Sequence, residues 1–134
     1  MRSILSVLMG VAVLLVISSC ATTQPLGEGE LRLLRMQVPE NGNLILSHAY
    51  RFNIIFESDG SAEIIRAVCT CADTGQRAYK VEDVNYGSKR GNFNLYLFAC
   101  AVDSHRLECY VDYVSEGKRR RSNSVFGLVY GLVR

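Results

Sequence analysis

The residues best suited to chemistry in this 134-residue chain are its five cysteines, Cys20, Cys69, Cys71, Cys100 and Cys109. A thiol can carry a lipid, close a disulfide, bind zinc or act as a nucleophile, and spacing separates these uses. Cys69 and Cys71 stand two apart in a segment that reads as a strand, which sets their Cα atoms about 6.6–7 Å apart. That reaches the limit of disulfide geometry, so pairing of Cys69 and Cys71 with Cys100 and Cys109 is expected instead, with the connectivity open. Zinc knuckles use C-x₂₋₄-C, and the C-x-C and C-x₈-C spacings here depart from that pattern. There is no C-x-x-C redox pair in the sequence.

Other constellations are weaker. Asp103-Ser104-His105 holds the residue types of a catalytic triad, but three consecutive residues cannot converge as a triad must. The reading is a polar turn. His48 stands alone at a strand start and makes no metal site. Glu82 and Asp83 are adjacent in a strand, so they point to opposite faces and cannot share one acid–base site. Neither a Gly-rich phosphate loop nor a nucleophile elbow is present. The expectation is therefore a protein that is not an enzyme, with no metal and no cofactor. Lys118, Arg119, Arg120 and Arg121 form the one charge run, a candidate contact for phosphate or carboxylate groups on lipopolysaccharide, lipid or cell wall. Strand alternation would send Arg119 and Arg121 one way and Lys118 and Arg120 the other, halving the patch.

Composition bounds the rest. Hydrophobic residues make up 49% of the chain and charged residues 21%, which excludes a disordered tail, a collagen-like chain or a coiled coil. A net charge of +2 gives no broad basic surface, so no nucleic-acid partner is expected.

The first twenty residues form an address. Arg2 is the only charge before residue 28, and Ile4 to Ile17 is apolar apart from Ser6 and Gly10. As a helix that stretch rises about 21 Å, short of the ~30 Å hydrocarbon core, which favours an export signal over a permanent span. Ile17-Ser18-Ser19-Cys20 resembles the lipobox of bacterial lipoproteins. The resemblance implies a signal peptide over residues 1–19, cleaved before Cys20, and a lipid on the Cys20 thiol that tethers the protein to a membrane. It also implies an oxidising compartment, which suits two disulfides among the four remaining cysteines. Ala21 stands where that family carries an inner-membrane retention Asp, which points to the outer membrane facing the periplasm. Residues 20–29, small and polar with Pro25 and two Gly, read as a lipidated Cys and flexible tether, with the folded domain over 30–134.

From Leu31 onward, short β-branched and aromatic segments are separated by polar turns at roughly ten-residue intervals, an all-β signature. Strands are expected over 31–38, 48–57, 63–71, 79–86, 92–102, 107–114 and 122–133. On the third, Ile65, Ala67, Cys69 and Cys71 share one face. Asp103 to His105 turns the chain, and Glu116-Gly117 makes a hairpin that sets Asp112 opposite Arg121. The closing stretch YVDYVSEGKRRRSNSVFGLVYGLV and the opening VPENGNLILSHAYRFNIIFESDGS resemble strands of bacterial immunoglobulin-like domains. The resemblance implies an immunoglobulin-like β-sandwich of about seven strands, without the antibody Cys–Trp–Cys signature. It further implies that the third strand runs antiparallel to the sixth, gathers all four cysteines at one pole and ties Cys109 to Cys69 or Cys71.

Residues 125–133 are apolar on both faces, which calls either for cover from the rest of the domain or for a partner, here an envelope protein docking on that strand. The functional expectation is a non-catalytic binding or structural module of the bacterial cell envelope, anchored through its lipid. The alternative is a small envelope inhibitor or accessory subunit docking on a secreted enzyme or on a transport or secretion complex.

Overall fold

Two-residue alternation of apolar and polar side chains runs through the chain, and each such stretch becomes a strand with one buried face. The structure, a computed structural model, describes residues 24–45, 48–71, 75–98 and 103–132. The strands are β1 (Leu31–Gln37), β2 (Asn43–Ile45), β3 (Ala49–Ser58), β4 (Glu63–Cys71), β5 (Gly75–Tyr79), β6 (Glu82–Asn85), β7 (Arg90–Phe98), β8 (Asp103–Ser115), β9 (Lys118–Arg121) and β10 (Val125–Leu132). A 3₁₀ stretch, Pro39–Gly42, joins β1 to β2. One sheet has the order β1-β3-β7-β6. The other runs β2-β10-β8-β4-β5, with β9 also on β8. Every pairing is antiparallel except that of β2 with β10.

The result is a sandwich-like, all-β fold around one core. Phe52, Ile54 and Phe56 of β3 and Phe93, Leu95 and Leu97 of β7 are buried, as are Leu107, Cys109 and Val111 of β8. Each such apolar side chain contributes about 1.5–3 kcal/mol on leaving water. The packing is close enough that Gly91 has no room for a Cβ, which would collide with the Phe56 ring and the Asn85 carbonyl. Gly127 likewise lets Met36 Sδ and Val38 Cγ2 approach to 2.7 Å of where its Cβ would stand. That is how the end of β1 lies against β10, and it explains a glycine inside an otherwise apolar strand.

The structure corrects the strand reading in four places. A β-bulge between Ile64 and Arg66 shifts the phase of β4, so Ile64 is buried and Ile65 is 42% exposed, while Ala67, Cys69 and Cys71 remain inward. The segment 79–86 is no single strand: β5 ends at Tyr79 on the β4 edge, and β6 begins at Glu82 in the opposite sheet. Asp103 to His105 is no turn but the start of β8, opposite Gly131 to Val129. The last strand is broken at Ser122 to Ser124 into β9 and β10. These breaks, with the short β2, raise the strand count above the expected seven.

Side chains bridge the last of these breaks. The Val111 N–H donates to Ser122 Oγ at 2.9 Å, and the Ser122 N–H donates to the Val111 carbonyl at 2.9 Å. The β8 ladder therefore continues through the interruption. Asn123 reaches to the other sheet, where its Oδ1 accepts from the Leu33 N–H at 2.8 Å and its Nδ2 donates to the Leu33 carbonyl at 2.9 Å. Leu33 borders a second bulge, between Leu33 and Arg35 of β1, so the amide holds the strand where its own ladder is irregular.

Cys69 and Cys109 stand directly opposite one another in the β4–β8 register and form a disulfide across a Cα separation of 4.2 Å. This distance matches the close, non-hydrogen-bonded position of an antiparallel pair. The tie of Cys109 to Cys69 or Cys71 is thus found, with Cys69 as the partner. Cys71 is itself disulfide-bonded. Cys100 lies outside the described residues. Because 40 residues separate Cys69 from Cys109, the loop-closure argument assigns the bond about 3–4 kcal/mol of stability. Cys69→Ala/Cys109→Ala is expected to lower the unfolding free energy by that amount in urea titration, with the far-ultraviolet spectrum unchanged at zero denaturant.

Candidate functional site

The outer face of the second sheet carries a row of large exposed apolar side chains. Alternation on β10 buries Val125 and Val129 and turns Phe126, Leu128 and Tyr130 outward, where they are 43%, 53% and 38% exposed. The expectation of cover from the rest of the domain fails for these three. The edge of β10 is partly covered, since β2 pairs in parallel with Tyr130 to Leu132. Val133 lies outside the described residues.

Cations lie over the aromatics of this face. The Arg106 guanidinium sits 3.4 Å above the Phe126 ring, and that of Arg121 sits 4.3 Å from the Tyr110 ring. Such stacks contribute about 0.5–1 kcal/mol when exposed and keep apolar rings compatible with water. Asp112 organises the neighbouring row. It lies opposite Arg121 in the hairpin and opposite Arg66 on β4, as the two registers require. Arg66 Nε reaches its Oδ2 at 2.9 Å and Arg121 Nε its Oδ1 at 3.7 Å. Alternation with the inward Val111 and Tyr113 turns Asp112 outward, yet it is buried beneath these two side chains. Gln76 Nε2 donates to the Tyr110 hydroxyl at 2.9 Å, extending the polar row to β5.

The basic run divides as alternation requires. Arg121 is engaged by Asp112 and Tyr110 on the outer face. Arg120 turns the other way, donating to the Glu28 carbonyl at 3.2 Å and pairing with Glu116 at 3.4 Å. Among the described residues no hydrogen bond or ion pair engages the side chain of Lys118 or Arg119, which leaves two cations rather than four at the hairpin tip.

That tip belongs to a pole where the start of the described chain is fastened. Arg32 donates to the Gln24 carbonyl at 2.7 Å, and Ser115 Oγ donates to the Gly29 carbonyl at 2.6 Å. The Gly29 N–H in turn donates to Asp59 Oδ2 at 2.9 Å. Asp59 Oδ1 accepts from the Ser61 hydroxyl at 2.6 Å and from the Ser61 N–H at 3.0 Å. These bonds, the Ser61 hydroxyl foremost, lower the Asp59 carboxyl from 3.8 to about 2.

His48 is exposed beside Tyr50, with ring centroids 6.4 Å apart. Asp83 Oδ2 accepts from Asn94 Nδ2 at 3.0 Å, which fastens β6 to β7. Among the described residues no group of three His, Cys, Asp or Glu could hold a metal. Cys20, the expected lipid carrier, lies outside them. What sequence reasoning missed is a pair of cations on the other sheet, Arg35 and Arg90, which line one depression with Leu34 and Ile55. The doublet Leu33-Leu34, breaking the alternation of β1, was the available signal.

No family model matches the chain, and no curated protein does.

The Asp59 carboxylate yields a pH prediction. The folded state holds this proton less tightly than the unfolded chain, so the contribution is full above the ordinary 3.8 and is lost as pH falls towards about 2. Thermal melts of the parent and of Asp59→Asn should differ most near neutral pH, with the parent more stable. The difference should shrink between pH 4 and 2.

Proposed function

We propose that this chain is a non-catalytic, lipid-anchored module of the bacterial cell envelope that binds a protein partner through the outer face of β10. The observation that carries the binding half is the exposed row Phe126, Leu128 and Tyr130 on consecutive outward positions of one strand. Aromatic and large aliphatic side chains flanked by arginines are the composition of interface centres. The anchoring half rests on the resemblance of Ile17-Ser18-Ser19-Cys20 to a lipobox. An acylated Cys20 would hold the domain at the outer membrane facing the periplasm by the Ala21 criterion, and two or more acyl chains make such a tether stable.

An immunoglobulin-like identity for the domain is part of the same reading. The strand order β1-β3-β7-β6 against β2-β10-β8-β4-β5 supports it, since the constant-type order pairs the first, second, fifth and fourth strands in one sheet and the third, sixth and seventh in the other. On that correspondence β10 is the seventh strand, with β2 and β5 as additions at the sheet edges. The same exposed row also favours a second reading, in which the module is an accessory subunit or inhibitor seated on a secreted enzyme or transport complex. The two differ in what is bound, not in the surface used.

Mass spectrometry of the native protein is expected to find the chain starting at an acylated Cys20, with the other four cysteines oxidised. Cys20→Ala should abolish both the acylation and the cut before residue 20, leaving the longer precursor by mass; an unprocessed, unmodified Cys20 in the parent would end the anchoring proposal. Chemical cross-linking in intact envelopes tests the face. Leu128→Asp should remove at least about nine-tenths of any cross-linked complex, the effect of about 1.4 kcal/mol, while leaving the melting temperature in place. An undiminished complex would move the contact elsewhere.

A further inference from the structure

A second binding feature lies on the opposite sheet and shares only Phe126, at its far end, with the surface above. The bulge between Leu33 and Arg35 puts two successive residues of β1 on the outer side, Leu34 at 37% exposure and Arg35 beside it. Arg35 lies opposite Ile55 on β3, and Ile55 lies opposite Asn92 on β7, two residues from Arg90. Leu34, Arg35, Ile55 and Arg90 together line an open depression of about 520 Å³. Two aliphatic side chains and two arginines make up its lining.

Those guanidinium groups have no anion of their own. Among the described residues neither Arg35 nor Arg90 takes part in an ion pair or side-chain hydrogen bond. Glu57 is the register partner of Arg90, but its Oε1 is held by Arg32 Nη1 at 3.1 Å. From Leu34 and Arg35 the surface continues into a second hollow of about 270 Å³ along the seam between β1 and β10, where Met36, Val125 and Phe126 are among the lining residues. A depression bordered by two arginines therefore adjoins, through Leu34 and Arg35, a hollow whose lining sets Met36, Val125 and Phe126 beside the polar Asn123 and Ser124.

We infer that this surface binds an anionic amphiphile, a phosphate monoester carried on an apolar chain. One arginine fork satisfies a carboxylate's two oxygens, whereas two forks from separate strands suit a group with three acceptor oxygens and a charge near −2. The phosphate lies between Arg35 and Arg90 over Leu34 and Ile55. The chain follows the seam toward Phe126. The bulge is what makes this surface: in unbroken alternation Leu34 and Arg35 would take opposite faces.

The test uses the full chain in phosphatidylcholine nanodiscs and a dodecyl phosphate bearing a terminal diazirine. Photolabelling is expected on peptides containing Leu34 or Phe126, with protection by unlabelled dodecyl phosphate. Inorganic phosphate and dodecanol at the same concentration should each protect far less, because each supplies only half of the recognition. Arg35→Gln/Arg90→Gln should lower labelling by roughly tenfold or more, and Arg35→Lys/Arg90→Lys should restore part of it, since charge returns without the fork. Both double variants sit on exposed positions, and unchanged thermal melts establish that the fold is kept. Labelling that is unchanged in the glutamine variant, or that falls elsewhere on the chain, overturns the inference. Equal protection by inorganic phosphate overturns the apolar half and with it the amphiphile; equal protection by dodecanol overturns the anionic half in the same way.

Discussion

Strand β8 is the constraint on which the fold depends. It is thirteen residues long and paired along both edges. One edge carries β4, and the other carries β10 for its first part and β9 for its last. A strand so placed turns its inward face to the core, and Leu107, Cys109, Val111 and Tyr113 are buried accordingly. The Cys69–Cys109 bond is fixed to this strand at a directly opposed pair. It therefore holds the β4–β8 register as well as shortening the unfolded chain's loops. A slip of β4 by one residue would turn its sulfur to the solvent face while that of β8 stayed inward, so the two could not bond.

Where period-two alternation is unbroken, the sequence is a good guide. The inward sets of β3, β7 and β8 and the Glu116-Gly117 hairpin follow from it directly. So does the opposition of Asp112 and Arg121, which is a matter of counting outward from the turn. The misreading of Ile65 has a local cause. A bulge inserts a single residue without changing composition, so Ile65 reads as inward in a strand whose phase has already shifted. The division of 79–86 between two sheets is invisible for a different reason. Lys80 and Val81 sit between β5 and β6, and only long-range pairing with β4 on one side and β7 on the other decides which sheet each joins.

The candidate surfaces follow the same division. The row of Phe126, Leu128 and Tyr130 was legible as apolar residues on both faces of one strand, and only its lack of cover had to come from the structure. The basic run was legible as charge but not as partnership. Arg121 and Arg120 are drawn into the domain by Asp112, Tyr110, Glu116 and the Glu28 carbonyl, contacts contributed by several segments. Arg35 and Arg90 are 55 positions apart, and nothing in a linear reading joins them until β1, β3 and β7 are laid side by side.

The two faces of the sandwich are also coupled through one short break. Ser122 continues the β8 ladder with its hydroxyl, and this frees the next residue to point away from its own sheet. Asn123 uses that freedom to bond both backbone groups of Leu33, beside the bulge that exposes Leu34 and Arg35. A polar break in one sheet thus steadies an irregularity in the other. Removing the amide would leave a backbone N–H and C=O to find water at the edge, a loss of about 1 kcal/mol per bond. The energetic penalty is modest, but it falls where two strands must keep unusual geometry together. Side-chain substitution for backbone hydrogen bonds is therefore what lets this small fold carry a bulge and a strand break at adjoining edges without loosening the core between them.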